Sequence, residues 1–167
     1  VKGNAYGHGL PGTAIELCKL GVHDFCVATA EEGAELRRQG AQGTILVLGY
    51  TNPSQFLLLE AAQLTQTVVD GDYAAALNAY GRPLAVHIKL DTGMHRLGVP
   101  WQEGEMLERI FRYPNLKVEG LFTHLCADDT QDEEAVAFSR EQIRRFYQAA
   151  GGLQARGLAV PNLHIQS

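Results

Sequence analysis

Two lysines, and the groups spaced behind them, carry the chemical interest of this sequence. Lys2 opens the run Val1-Lys2-Gly3-Asn4-Ala5-Tyr6-Gly7-His8-Gly9, a glycine-broken loop, and an amphipathic helix pattern follows from Pro11. A strand end, a loop and a helix start is where an α/β fold places reactive groups. Lys89 lies in a second such context. Leu84, Val86, Ile88 and Leu90 fall on one face of a strand, and Ala85, His87 and Lys89 on the other. A bare ammonium on an enclosed face is costly unless paired, and burial depresses its pKa. The plain structural reading of Lys89 is an ion pair with Asp91 or another carboxylate. Arg96 follows in an irregular loop, His124 ends a strand begun at Leu116, and Ser167 ends the last strand pattern. Taken alone, His124 reads as a hydrogen-bonded structural histidine and Tyr6 as an aromatic packed on its loop.

The elements that must position these groups alternate between strand and helix. Ala14, Leu17 and Cys18 recur at helical spacing up to Gly21, and Asp24 to Ala28 reads as a short strand. Thr29-Ala30-Glu31-Glu32 is a capping box, with Glu32 reaching back to the start of a helix that ends at Gly40. Thr44 to Leu48 is an apolar strand, and Asn52-Pro53 starts a helix. Leu64 to Val69 is a strand weakened by Gln66, and Asp70 caps a helix through Leu77. After the Leu84–Leu90 strand come an irregular loop from Asp91 to Pro100, a helix through Leu107, Ile110 and Phe111, and the Leu116–Thr123 strand. Thr130-Gln131-Asp132-Glu133 is a second capping box. It opens the longest helix, whose stripe is Val136, Ile143, Phe146, Tyr147 and Ala150. Leu163 to Ser167 is the last strand.

With a stub carrying Lys2 counted as the first strand, this succession predicts an α/β fold with parallel strands and right-handed crossovers. The expected architecture is a TIM-type (β/α)8 barrel, incomplete, with about seven of eight strands and the first truncated. An open doubly wound sheet is the alternative, and no G-x-G-x-x-G follows the first strand to favour its dinucleotide-binding form. Residues 1–167 read as one domain. In a barrel, Lys2, Tyr6, Tyr50, Asp70, Lys89, Asp91, Arg96, His124 and Ser167 all fall at or just past the C-terminal strand ends, which points to a polar site on one rim.

The chain has 167 residues, 46% apolar and 20% charged, with a net charge of −5. That composition suits a globular domain, and the absence of a basic cluster argues against a nucleic-acid surface. No apolar run reaches membrane-spanning length. Cys18, Cys26 and Cys126 are scattered, so buried free thiols are expected rather than a disulfide framework. His8, His23, His87 and His95 have no ligand spacing, and no metal is expected. The acidic cluster Asp128-Asp129-Asp132-Glu133-Glu134 reads as the solvated start of the long helix.

Two motifs carry a resemblance. Val1 to Gly9 is similar to the V-K-A-N-A-Y-G-H-G lysine motif of the alanine racemase family, with Gly3 where alanine is usual. Lys89-Leu90-Asp91-Thr92-Gly93-Met94-His95-Arg96-Leu97-Gly98 resembles the family's K-x-D-T-G-M-x-R-L-G motif, with His95 where glycine is common. His124 and the His164-Ile165-Gln166-Ser167 end also match, with Gln166 in place of asparagine, a variant similar to the serine/alanine racemases of glycopeptide-resistant bacteria. The resemblance covers essentially the whole chain.

The resemblance implies pyridoxal 5'-phosphate (PLP) as cofactor. Lys2 would form the Schiff base, Tyr6 and Ser167 would bind the phosphate, Arg96 would hydrogen-bond the ring oxygen, and His124 would brace an arginine near the ring nitrogen. Lys89 would be carbamylated. The activity implied is an amino-acid racemase interconverting L- and D-alanine, or L- and D-serine, for cell-wall precursors. Lys2 would serve one face of the substrate. A tyrosine from a C-terminal β-domain of the partner subunit, outside this chain, would serve the other in a homodimer. A cytoplasmic catalytic domain is implied, with a membrane anchor upstream left open, and residues 1–167 alone are expected to be inactive. Three alternatives remain from the residues: a barrel-type PLP decarboxylase, a PLP carrier or regulatory domain, and an aldolase-type barrel with a strand-end lysine.

Overall fold

The computed structural model describes residues 1–127 and 132–166. Its strands are β1 (Phe25–Val27), β2 (Ile45–Val47), β3 (Thr65–Val68), β4 (Leu84–Asp91), β5 (Val99–Pro100), β6 (Leu116–His124) and β7 (Asn162–Gln166). They pair in parallel in the order β1-β2-β3-β4-β6-β7, with β5 attached to the end of β4. The helices are α1 (Lys2–Tyr6), α2 (Leu10–Lys19), α3 (Ala30–Arg38), α4 (Phe56–Ala61), α5 (Gly71–Ala79), α6 (Gly104–Phe111) and α7 (Glu133–Ala155), with a 3-10 turn at Pro53–Gln55 before α4. The sheet curls until Gln166 Nε2 on β7 comes within 3.9 Å of Cys26 Sγ on β1. This is the expected incomplete barrel with helices outside, not a flat doubly wound sheet.

Register fixes what lies inside. Cys26 aligns with Leu46, Thr67 with His87, Lys89 with Phe122, and Phe122 with His164. These residues share the inner face. The alternate residues Phe25, Val27, Ile45, Val47, Val86 and Ile88 pack outward under the helices in the main apolar core. A bulge in β6 makes that inner set possible. Val86 pairs with Val118, but His87 pairs with Gly120, so Glu119 is an extra residue. A one-residue insertion switches which side chains face inward. Phe122 and His124 therefore point into the barrel, and Asn162 Nδ2 satisfies the Glu119 carbonyl at 2.8 Å.

Several expectations need correction. Val1 places its nitrogen 3.1 Å from the Cys26 carbonyl of β1, and the chain then turns into α1. Gly3, Asn4, Ala5 and Tyr6 there have φ of 64°, 54°, 52° and 54°. Left-handed geometry costs about 1–2 kcal/mol per non-glycine residue, so this turn must be held by outside partners. β5 lies inside the segment expected to be all loop.

Gln66 does not weaken β3. It is fully buried and satisfied, accepting from Thr51 Oγ1 at 2.7 Å and donating to the Gly49 carbonyl at 2.8 Å. Glu32 reaches past Thr29 to the Ala28 N–H at 2.8 Å, while Thr29 accepts from Glu32 N–H at 3.3 Å. The long helix is capped by Asp132, which accepts from Glu134 N–H at 2.9 Å. Thr130 and Gln131 of the predicted box, with Asp128 and Asp129, lie outside the described residues. On α7 the buried stripe runs through Gln142, Phe146, Ala149, Ala150 and Leu153, and Tyr147 is exposed. The cysteines are free as expected, but none is fully buried: Cys18 and Cys26 are partly exposed and Cys126 is exposed. No helix among the described residues is long and apolar enough to cross a membrane.

Candidate active site

The C-terminal strand ends converge on a cavity of about 270 Å³ lined by Lys2, Ala28, Leu48, Gly49, Lys89, Arg96, Leu97, Phe122, His124 and Gln166. Lys2 reaches it from α1, beside the end of β1. Lys89 and His124 reach it from the inner faces of β4 and β6. Arg96 comes from the loop between β4 and β5, and Gln166 from the end of β7. Four of the residues singled out from sequence, Lys2, Lys89, Arg96 and His124, are thus brought together.

The electrostatics of the cavity are one-sided, because among the described residues no carboxylate lines it. Lys89 is only 6% exposed. Burial pushes its pKa down, the Arg96 and Lys2 charges push the same way, and Asp91 opposes them. Asp91 is not its ion-pair partner. That carboxylate accepts from the Gly93 and His95 N–H groups at 2.9 and 3.0 Å and lies 3.2 Å from His95 Nδ1. Burial also lowers the His124 pKa, with Arg96, Lys89 and Lys2 adding to it. Converging cations without an anion make a site that an anionic ligand would stabilise. This donor set suits a phosphorylated, phenolate-bearing cofactor such as PLP, and Lys2 supplies an exposed amine beside it.

Other expected residues fall elsewhere. Tyr6 is 76% exposed and does not line the cavity. Tyr50 packs tilted against Tyr73 with centroids 4.7 Å apart, and Asp70 caps α5 by accepting from Tyr73 N–H at 2.7 Å. Ser167 lies outside the described residues. His95 sits at φ 54°, pinned to Asp91 and outside the cavity.

Three supporting features escaped sequence reasoning. His87 Nδ1 and His164 Nε2 are 2.9 Å apart beneath the site, and His164 stacks on Phe122 at 4.9 Å. Strand parity marks His87 as inward, but only the register brings His164 to it. Buried Gln142 of α7 accepts from Cys126 N–H and donates to Thr92 Oγ1 and the His124 carbonyl, which ties the ends of β4 and β6 together. Glu32 accepts from the Asn4 N–H at 3.1 Å, joining α3 to the Lys2 turn.

Comparison with known proteins agrees with this geometry. The family described as alanine racemase, N-terminal domain, matches residues 1–167. An amino-acid racemase of Enterococcus faecalis is 41% identical over 167 residues, covering 100% of this chain and 24% of its own length. A serine/alanine racemase of Enterococcus gallinarum is 36% identical over 167 residues, with the same coverages of 100% and 24%. The solved structure of an alanine racemase of Clostridium difficile 630, in complex with cycloserine, superposes with a TM-score of 0.91 at 30% identity. It covers 99% of this chain and 46% of that one. The chain therefore spans less than half the length of each of these relatives.

Proposed function

This chain belongs to the alanine racemase N-terminal domain family, and we propose that it is the PLP-binding barrel part of an amino-acid racemase acting on alanine or serine. The observation that carries this reading is the convergence of Lys2, Lys89, Arg96 and His124 on one cavity at the barrel rim that no carboxylate among the described residues lines. PLP, when bound, acidifies the substrate Cα–H by delocalising the electron pair left behind.

The chain's own residues supply the rest. Lys2 would anchor the cofactor, and its amine would give and take the proton at one face of the substrate Cα. Arg96 would donate to the ring oxygen, His124 would brace the ring-nitrogen side, and Ser167, with Tyr6 turned in from its exposed position, would hold the phosphate. Lys89 carries a carbamate: its depressed pKa favours the neutral amine, whose nitrogen bonds to CO2 with loss of a proton. The resulting anion fixes Arg96. The opposite face of Cα is served by a tyrosine of a C-terminal β-domain outside residues 1–167, supplied by the partner subunit of a homodimer. The catalytic domain works in the cytoplasm.

The test uses the intact protein with PLP in heavy water, following Cα deuterium exchange of L-alanine and L-serine, with Lys2→Ala as control. Exchange that disappears in the control supports the reading, and the faster substrate identifies the preference. Absent exchange with PLP still held on Lys2 overturns it in favour of a PLP carrier.

A further inference from the structure

One side-chain carboxylate, that of Glu32, bridges the turn that carries Lys2 to the end of β1, alongside the Val1 nitrogen on the Cys26 carbonyl. Asn4, Ala5 and Tyr6 are three successive non-glycine residues with positive φ, a conformation that L residues do not keep without external partners. Inside the turn, Gly7 and Gly9 donate to the Asn4 carbonyl and His8 to the Ala5 carbonyl, each at 3.1 Å. Asn4 Oδ1 accepts from Leu10 N–H at 2.7 Å, which joins the turn to the start of α2. The Asn4 backbone N–H donates to Glu32 Oε1 at 3.1 Å. Glu32 Oε2 accepts from the Ala28 N–H at 2.8 Å, and Ala28 is a wall of the cavity that Lys2 enters. Glu32 is itself fixed near the start of α3, its N–H on Thr29 Oγ1. That position suits an anion.

We propose that Glu32 is a positioning residue for Lys2: its two carboxylate oxygens bind the left-handed turn to the end of β1 and so set where the Lys2 amine stands in the cavity. The consequence for PLP rests on the functional reading above; the clamp itself does not. Both oxygens face N–H donors, so an amide cannot replace the carboxylate. Glutamine would keep one acceptor and turn an NH2 group against an N–H. Glu31, one residue earlier, is exposed and bonds to the Gln55 side chain instead, which makes it the matched control.

The experiment compares Glu32→Gln and Glu31→Gln in the full-length protein. Backbone hydrogen exchange of the apoprotein reads the clamp, and the rate of PLP incorporation at Lys2 reads its consequence. In Glu32→Gln the Asn4 amide exchanges about tenfold faster or more, as expected for losing a hydrogen bond to a charged acceptor. The β4 and β6 amides keep their protection, PLP incorporation slows by a similar factor, and Glu31→Gln behaves as wild type. Adding Ala5→Gly, which removes a Cβ at φ 52°, restores part of the incorporation rate, an effect that general destabilisation would not give. Unchanged Asn4 exchange in a folded Glu32→Gln protein overturns the proposal. So does faster Asn4 exchange with unchanged incorporation, or no rescue by Ala5→Gly. A wild-type protein that takes no PLP at Lys2 refutes the functional reading instead, and the Asn4 exchange then decides the clamp alone.

Discussion

Lowering the pH should weaken this barrel through one histidine pair. His87 is 6% exposed, with Nδ1 2.9 Å from His164 Nε2. Two protonated rings cannot share that contact, because an N–H would face an N–H. Burial, together with the His164 charge, pushes the His87 pKa from 6.5 down to about 4, while Glu119 and Asp24 act in the opposite direction. Burial lowers His164 as well. The folded state therefore prefers neutral His87, and the unfolded chain binds the proton first. Stability from this group is fully present above pH 6.5 and is lost as pH falls towards 4. A gap of that size corresponds to about 3 kcal/mol, of which about 2 kcal/mol falls between pH 7 and 4.5. Urea unfolding of the intact protein at those two pH values, for wild type and His87→Asn, measures it. The variant is less stable at pH 7 because it loses packing, but its pH dependence should be shallower by about 2 kcal/mol. Equal pH dependence in the two proteins would refute the reasoning.

Gly120→Ala should destabilise by about 1–3 kcal/mol through overpacking. Its new Cβ meets three His87 ring atoms at 2.7–2.8 Å, and His164 blocks the ring's retreat; an unchanged melting temperature would count against this. Gln66→Leu should cost about 2–3 kcal/mol, because the Thr51 hydroxyl and the Gly49 and Thr67 carbonyls lose their partner in a buried place. Chemical denaturation measures that loss, and Gly49 carries the disturbance to the cavity wall.

Local patterns made most of the barrel legible. Alternation along Leu84–Leu90 placed His87 and Lys89 inward because that strand is regular, and Asp70 caps α5 as its residue type predicts. The failures lie where long-range register or unusual backbone decides. Gln66 breaks an apolar run in sequence, yet a hydroxyl and a carbonyl from the following β2 loop satisfy it. The bulge at Glu119 leaves no mark in composition, yet it alone turns His124 towards the site. The left-handed turn after Lys2 contains alanine and tyrosine, which carry no signal for positive φ, so its backbone was not legible. Asp91 was an obvious partner for Lys89 by spacing, but its oxygens serve the backbone of the Arg96 loop. The spacing could not show that Lys89 would face Arg96 instead.

The central claim is that Lys2 is the cofactor lysine, and trapping the cofactor tests it most directly. The intact protein is incubated with PLP and reduced with borohydride, and the labelled peptide is identified by mass. Lys89 is the demanding competitor, since burial lowers its pKa and favours a nucleophilic neutral amine in the same cavity. The label is expected on Lys2, with no cofactor on Lys19, Lys89 or Lys117. A label on Lys89, or one spread over several lysines, would contradict it.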